Sequence, residues 1–310
     1  MNHFLKRIFV FALFTILVGE VVLRFSHTLS DIPQRTIDKD GIQKYFPNQE
    51  GYWKGGGHKW KINSLGWPGE LPTNYNNLIT IIGDSFIENF MNPNECHQSI
   101  LLKQRMAAFN FLEASRSGVS LIEAMEIAKQ LDSLNPRCQL IYVSDSDFYE
   151  SISNIKVLGD ITQVDIKSKK LLQGKMKSPG FKKILYNWKL LYYFYNRFPV
   201  SDFIFFKGKQ EKKEVAKSPK KPSFESEVLK LIEYMKENYE INDKILVFHP
   251  KSSIKIIEVC KEAGFSTIIL DSSNDKSWTF DHDRHWTCYG HNAVADQIYK
   301  NLSESHLLTN

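Results

Sequence analysis

A three-layer α/β/α sandwich around a central parallel sheet, preceded by an N-terminal membrane helix, is the fold this sequence predicts. Three observations carry that reading. Short, continuous apolar runs alternate with helical stripes over residues 77–310, the pattern of a parallel sheet covered on both faces. The chain has 310 residues, of which 42% are hydrophobic and 13% aromatic, so it can bury a sizeable core as one large domain or two small ones. A long apolar stretch stands at the extreme N-terminus, where a membrane-directed segment belongs.

That first stretch opens with Lys6 and Arg7 and runs from Ile8 to Val18; Gly19 and Glu20 interrupt it and Arg24 closes it. Ile8 to Phe25 would make a helix of roughly 27 Å, just enough to span a bilayer. Glu20 precedes Arg24 by one helical turn, so the two can pair and reach the interface together. A cleaved signal peptide is the alternative, although no small-x-small cleavage site follows. A buried core helix is the third reading. Arg24, Arg35 and Lys39 offset Lys6 and Arg7, so charge leaves the orientation open.

Residues 26–76 read as an irregular stalk punctuated by Gly and Pro. Leu78–Ile82, Phe109–Leu112, Leu140–Val143, Lys244–Phe248 and Thr267–Leu270 read as five strands. Helices are expected over Ser99–Met106, Ser120–Leu134, Ile254–Ala263 and Gly290–Leu302. The second has apolar residues at Leu121, Ile122, Met125, Ala128 and Leu131 and stops at Asn135-Pro136.

An insertion at about 159–222 breaks the rhythm. The net charge of +5 conceals an asymmetry: Lys167–Lys221 holds 16 Lys and Arg against 3 Asp and Glu. The remaining chain is mildly acidic, which excludes a uniformly basic nucleic-acid-binding surface. Phe181–Phe206 is rich in aromatics, and Lys207–Lys221 is a Lys-rich tract with little to bury. A basic segment interleaved with aromatics suits an anionic membrane surface or an acidic glycan, as a lid or docking surface. The plain alternative is a solvated loop over the core. Of the four cysteines, Cys96, Cys138, Cys260 and Cys288, no two form CxxC, and the expectation is four free, largely buried thiols.

The candidate chemistry lies at strand ends, where open parallel sheets bind ligands. Strand one runs into Gly83-Asp84-Ser85, which sets a hydroxyl beside the free N–H groups of a helix start. Ser115-Arg116-Ser117-Gly118 follows strand two, and Ser144-Asp145-Ser146-Asp147 follows strand three. Near the C-terminus stands Asp281-His282-Asp283-Arg284-His285-Trp286, where a carboxylate two residues before an imidazole can orient it as a general base. The structural alternatives are a Ser N-cap and an ordinary His–Asp pair. A metal site on His282, Asp283, His285 and His291 is the rival function, without the HExxH spacing of zinc proteases. No GxGxxG follows strand one, which disfavours a dinucleotide binder.

Together these blocks resemble the SGNH/GDSL hydrolase family in order and position. Gly83-Asp84-Ser85 matches its first block, Gly118 its second, Ser144-Asp145-Ser146-Asp147 its third, and Asp283-Arg284-His285-Trp286 the DxHW variant of its last. Asn63-Ser64-Leu65-Gly66-Trp67-Pro68-Gly69 and the anchor ending in Glu20 and Arg24 are similar to membrane-tethered bacterial members. The resemblance covers about 60–310 apart from the insertion. It implies a flavodoxin-like three-layer sandwich, no cofactor and no metal, with Ser85, His285 and Asp283 as catalytic residues. Ser85, Gly118 and Ser146 would be the oxyanion donors. The implied activity is a serine esterase or O-acyltransferase on acyl, especially acetyl, esters of a cell-envelope glycan. The implied partners are an acylated carbohydrate or small ester and a membrane, with the domain outside the cytoplasm. One departure stands out. The family's third-block Asn is Ser146 here, a shorter side chain with a single donor, and losing one oxyanion donor costs roughly 3 kcal/mol. A catalytically weak module that binds anionic lipid or polysaccharide is therefore the second functional reading.

Overall fold

In a computed structural model of the chain, residues 2–198 and 224–305 are described. The Lys207–Lys221 tract and the aromatics Phe203, Phe205 and Phe206 lie outside them. Five parallel strands form the central sheet: β1 (Leu78–Gly83), β2 (Asn110–Ser115), β3 (Cys138–Val143), β4 (Lys244–Phe248) and β5 (Ser266–Ile269). Their spatial order is β2-β1-β3-β4-β5, all parallel. This is the flavodoxin-like order, with its switch point between β1 and β3.

Alternation along the strands makes the three layers. Leu78 and Ile82 of β1 face one side with Leu112, Ile141 and Leu246, while Ile79 and Ile81 face the other with Phe111, Leu140 and Val247. On the first side lie α4 (Leu121–Leu131), α8 (Phe224–Asn238) and α9 (Ile254–Glu262). On the second lie α3 (Gln98–Arg105) and α10 (Cys288–Glu304). Both faces are therefore buried, which is why the strands read as unbroken apolar runs. Helix α4 begins where Ser120 caps the Glu123 N–H at 3.3 Å, and the segment ends at Asn135 in the left-handed region.

The remaining helices are α1 (Asn2–Phe25), α2 (Ser85–Glu88), α5 (Asp145–Glu150), α6 (Pro179–Asn187) and α7 (Lys189–Arg197). Helix α1 is long and apolar enough to cross a membrane, with a mean hydropathy of 2.3 in its most apolar window and none of that window buried.

The segment expected to be an irregular stalk has more structure than that. It forms two antiparallel hairpins, Arg35–Ile37 with Gln43–Tyr45 and Glu50–Trp53 with His58–Lys61. Ile42 and Trp67 enter the main core, and Tyr45, Trp60 and Ile62 pack on Phe90. The Asn63–Gly69 turn has a structural use: Asn63 Oδ1 accepts the N–H groups of Leu65 and Trp67 and so sets Trp67 into the core. Residues 26–76 thus form a wall on the sandwich.

The cysteine expectation is also corrected. Cys96 and Cys288 form a disulfide with a Cα–Cα distance of 5.2 Å, while Cys138 and Cys260 are free and buried. Sequence separation hid the pair, because its members stand 192 positions apart. The bridge ties the turn before α3 to the first residue of α10. Replacing both with Ser is expected to lower stability by about 2–4 kcal/mol, read as a lower urea midpoint than that of the wild type under non-reducing conditions.

Candidate active site

The switch point sets two strand ends side by side. Ser85 follows β1 directly, and Ser144–Asp147 follows β3. Gly83 is needed there for close approach: a Cβ on it would meet the Ile87 side chain at 2.6 Å. The chain can therefore turn at once from β1 into α2. Asp84 caps that turn, its Oδ1 accepting the Phe86 N–H at 3.0 Å.

The last block comes from the opposite end of the sequence. Asp283–Trp286 is a short strand paired with Thr279–Phe280. Its Trp286 is buried against Phe86 and Tyr142 and anchors the hairpin beneath α2. Asn92 holds the same strand by donating to the Trp286 carbonyl at 2.8 Å.

This brings three of the expected residues together. The Ser85 hydroxyl donates to His285 Nε2 at 2.8 Å. His285 Nδ1 donates to Asp283 Oδ1, which also accepts the His285 backbone N–H at 3.0 Å. That carboxylate fixes the tautomer that leaves Nε2 free to accept from Ser85. Asp283 is held below the usual carboxylate range, first by the His285 backbone N–H, so it stays ionised beside the ring. The three side chains form one hydrogen-bonded chain from hydroxyl to imidazole to carboxylate.

The other two expected residues stand apart from that chain. Ser146, exposed in the first turn of α5, shares a hydrogen bond with Ser144 Oγ at 2.7 Å. It lines a cavity of about 480 Å³ together with Asp84, Arg284, His249, Trp278 and Trp286. Gly118 adopts a left-handed φ of +79°, which favours Gly, and lines a second cavity with Arg35 and Arg116. Neither makes a hydrogen bond to Ser85. The rival metal set is not assembled: among the described residues no group of three or more His, Cys, Asp or Glu side chains is placed to hold a metal ion.

Two supporting groups, Glu88 and His249, escaped the sequence reading, and a third, Asp147, enters it only as part of the third block. Glu88, one turn after Ser85, accepts the Ser117 N–H at 2.7 Å and the Tyr45 hydroxyl. It so ties the Gly118 loop and the hairpin wall to the serine's helix. His249, at the end of β4, is buried against Phe86 and Trp286, and its Nε2 has no partner. The signal was visible in Phe248-His249-Pro250, a fourth strand end with a polar residue. Asp147 accepts the N–H and hydroxyl of Ser144 and faces Asp84. Burial raises Asp84 to about 6, and burial with the Asp84 charge pushes Asp147 well above the usual range.

His291 is buried behind Trp286, its Nδ1 against Gln98 Nε2 at 3.2 Å, and burial lowers it to about 3. The unfolded imidazole titrates near 6.5. Between about pH 6.5 and 3 the unfolded state therefore binds one more proton at this site. Stability falls with acid over that window by up to about 1.4 kcal/mol per pH unit. His291→Gln should show a curve of urea midpoint against pH that is flatter by that slope. An unchanged slope would mean that His291 titrates freely in the folded protein.

No family model matches the sequence, and no curated protein matches it. Solved structures do align. The psychrotrophic esterase EstA from Pseudoalteromonas sp. is 13% identical with a TM-score of 0.38, over 76% of this chain and 100% of that one. A lipolytic protein of the G-D-S-L family from Veillonella parvula is 9% identical with a TM-score of 0.38, over 74% and 99%. A GDSL-like lipase from Bacteroides thetaiotaomicron is 9% identical with a TM-score of 0.33, over 74% and 88%. Likeness at that level carries no chemistry, and the functional reading rests on the site's own geometry.

Proposed function

We propose that the chain is a serine esterase or O-acyltransferase of SGNH type, acting on small acyl esters, acetyl above all, of a cell-envelope glycan. The observation that carries this is the hydrogen-bonded chain Ser85–His285–Asp283 at the sheet's switch point. Ser85 Oγ attacks the acyl carbonyl while its proton passes to His285 Nε2. Asp283 stabilises the imidazolium. The tetrahedral oxyanion takes hydrogen bonds from the N–H groups of Ser85 and Gly118 and from the Ser146 hydroxyl. His285 then protonates the leaving alcohol, and an acyl–Ser85 ester remains. Water or a sugar hydroxyl, deprotonated by the same imidazole, attacks that ester and restores Ser85. Water makes the protein an esterase and a sugar hydroxyl makes it a transferase.

The cavity beside Asp84 supports a polar substrate. Ser144, Ser146, Asn274, Asp275 and Arg284 line it together with Trp278 and Trp286, a mixture suited to a hydroxylated ring more than to a long acyl chain. The Cys96–Cys288 disulfide favours an oxidising compartment, and α1 favours a tether to the membrane that bounds it. Together they support an extracytoplasmic catalytic domain.

A fluorophosphonate probe tests the proposal directly. Covalent labelling mapped to the Ser85 peptide, and lost in Ser85→Ala, is the expected result. A folded protein that leaves the probe unreacted would overturn it. Such a result would favour the binding module, a reading supported by the Ser146 hydroxyl being shared with Ser144.

A further inference from the structure

Helices α6 and α7 meet at an elbow, Trp188, and the end of α1 is built into that elbow. The Glu20 carboxylate accepts the backbone N–H groups of Lys189 and Leu190 at 3.2 and 2.8 Å, the first two residues of α7. Arg24 donates to the carbonyl of Asn187, the last residue of α6, at 2.8 Å, and pairs with Glu20 at 2.5 Å. One ion pair thus satisfies orphan groups at both sides of the break, with each charge at the helix end whose dipole it complements. Lys189, itself buried, pairs with Asp31 just beyond α1, and Leu190 packs on Gly19. A signal peptide cut away after α1 would strip α7 of its cap.

The outward face of this hairpin is apolar. Phe181, Ile184, Trp188, Leu191, Phe194 and Phe198 recur at intervals of three or four residues, and all are exposed. Exposed Lys182, Lys183 and Arg197 flank the stripe. The same elbow adjoins the end of α1, whose 24 residues make a helix of about 36 Å, long enough to cross a hydrocarbon core of about 30 Å.

We infer that α6–α7 is an interfacial hairpin. Its apolar stripe lies among the lipid headgroups and upper acyl chains of an anionic bilayer, and Glu20 and Arg24 latch it to a retained α1 anchor. Continuity with α1, the Trp at the elbow and the cationic flank all point to lipid as the occupant. The latch lies where water is scarce, so its polar groups are satisfied by one another instead of by solvent. The catalytic domain is then held at a fixed tilt against the membrane. This inference rests on α1 spanning the bilayer, and it is independent of the chemistry at Ser85.

Spin labels on single introduced cysteines test it, with the full chain in nanodiscs of phosphatidylethanolamine and phosphatidylglycerol. Native thiols do not interfere, because Cys138 and Cys260 are buried and burial pushes both up to about 12. Labels at Phe14→Cys, Ile184→Cys and Leu191→Cys should collide more with oxygen than with an aqueous nickel complex, and a label at exposed Lys300→Cys should do the reverse. Adding Glu20→Ala should move the 184 and 191 labels toward water while the Phe14 label stays in lipid. Water-exposed 184 and 191 labels beside a lipid-exposed Phe14 label would overturn the hairpin and leave the anchor standing. A water-exposed Phe14 label, or an intact mass lacking residues 1–25, would overturn both. Unchanged depth in Glu20→Ala would overturn the latch.

Discussion

Ser85→Ala is expected to lower turnover of an activated acetyl ester by about 10⁴- to 10⁶-fold, with stability near that of the wild type. Alanine cannot form the acyl ester, so the route divided into two easier steps is lost. Serine and histidine nucleophile systems act as a unit, and removing the hydroxyl forfeits nearly the whole contribution of the three residues. What survives is binding and oxyanion stabilisation of direct attack by water. The hydroxyl's hydrogen-bond partner is His285 Nε2, and Ser85 is only half-buried, so truncation leaves no large cavity and no stranded charge. The measurement is acid release by the purified full chain, with a urea midpoint as the folding control. Hydrolysis undiminished in the variant would remove Ser85 as nucleophile.

The residues that were legible in the sequence share a physical property: their signals are local. Strands β1 to β4 are runs buried on both faces, and every residue in the run reports the same environment. Gly83-Asp84-Ser85 and Asp283-Arg284-His285-Trp286 are each a compact string at an element boundary. Their meeting was legible through the alternation of strands and helices, which brings both strings to the carboxyl ends of the sheet. The illegible parts are those whose partners are distant. Cys96 meets Cys288, Glu88 meets Ser117 and Tyr45, and Glu20 meets Lys189 and Leu190. No periodicity within a short window encodes such pairs. Residues 26–76 read as irregular because the strands of their hairpins are only three or four residues long, too short for alternation to register. Helix α8 is a different case. Val228, Leu231, Ile232 and Met235 do carry the helical stripe and are all buried, but they follow a Lys-rich tract whose composition masks it.

The site's electrostatics separate the carboxylates by role. Asp283 is held ionised by hydrogen bonds to its charged form, whereas burial, with the Glu88 charge, raises Asp84, and burial, with the Asp84 charge, raises Asp147. Asp283 is therefore ionised well into the acid range, while Asp84 gains its charge only near pH 6. A permanent countercharge on one nitrogen is what an imidazole acting as a general base needs.

Asp283→Asn is accordingly expected to reduce kcat by about 10³-fold with little change in KM. An amide can accept the His285 backbone N–H, so the local turn should persist. It cannot supply the charge that stabilises the imidazolium. If its NH₂ group faces Nδ1, it also drives the proton to Nε2, where the Ser85 hydroxyl needs an acceptor. Where the orienting carboxylate is buried, the same change costs about 10⁴. Here the Asp283 side chain is 37% exposed, so water replaces part of the lost stabilisation and the penalty should be smaller. Turnover of the acetyl ester against pH, compared with the wild type and with Ser85→Ala, measures it. Wild-type turnover in Asp283→Asn would pass the orienting role to another group, and Asp84, whose charge also acts on His285, would be next. Asp84→Asn should then show the loss that Asp283→Asn lacked, because an imidazole in this site still requires one ionised neighbour to hold its cation.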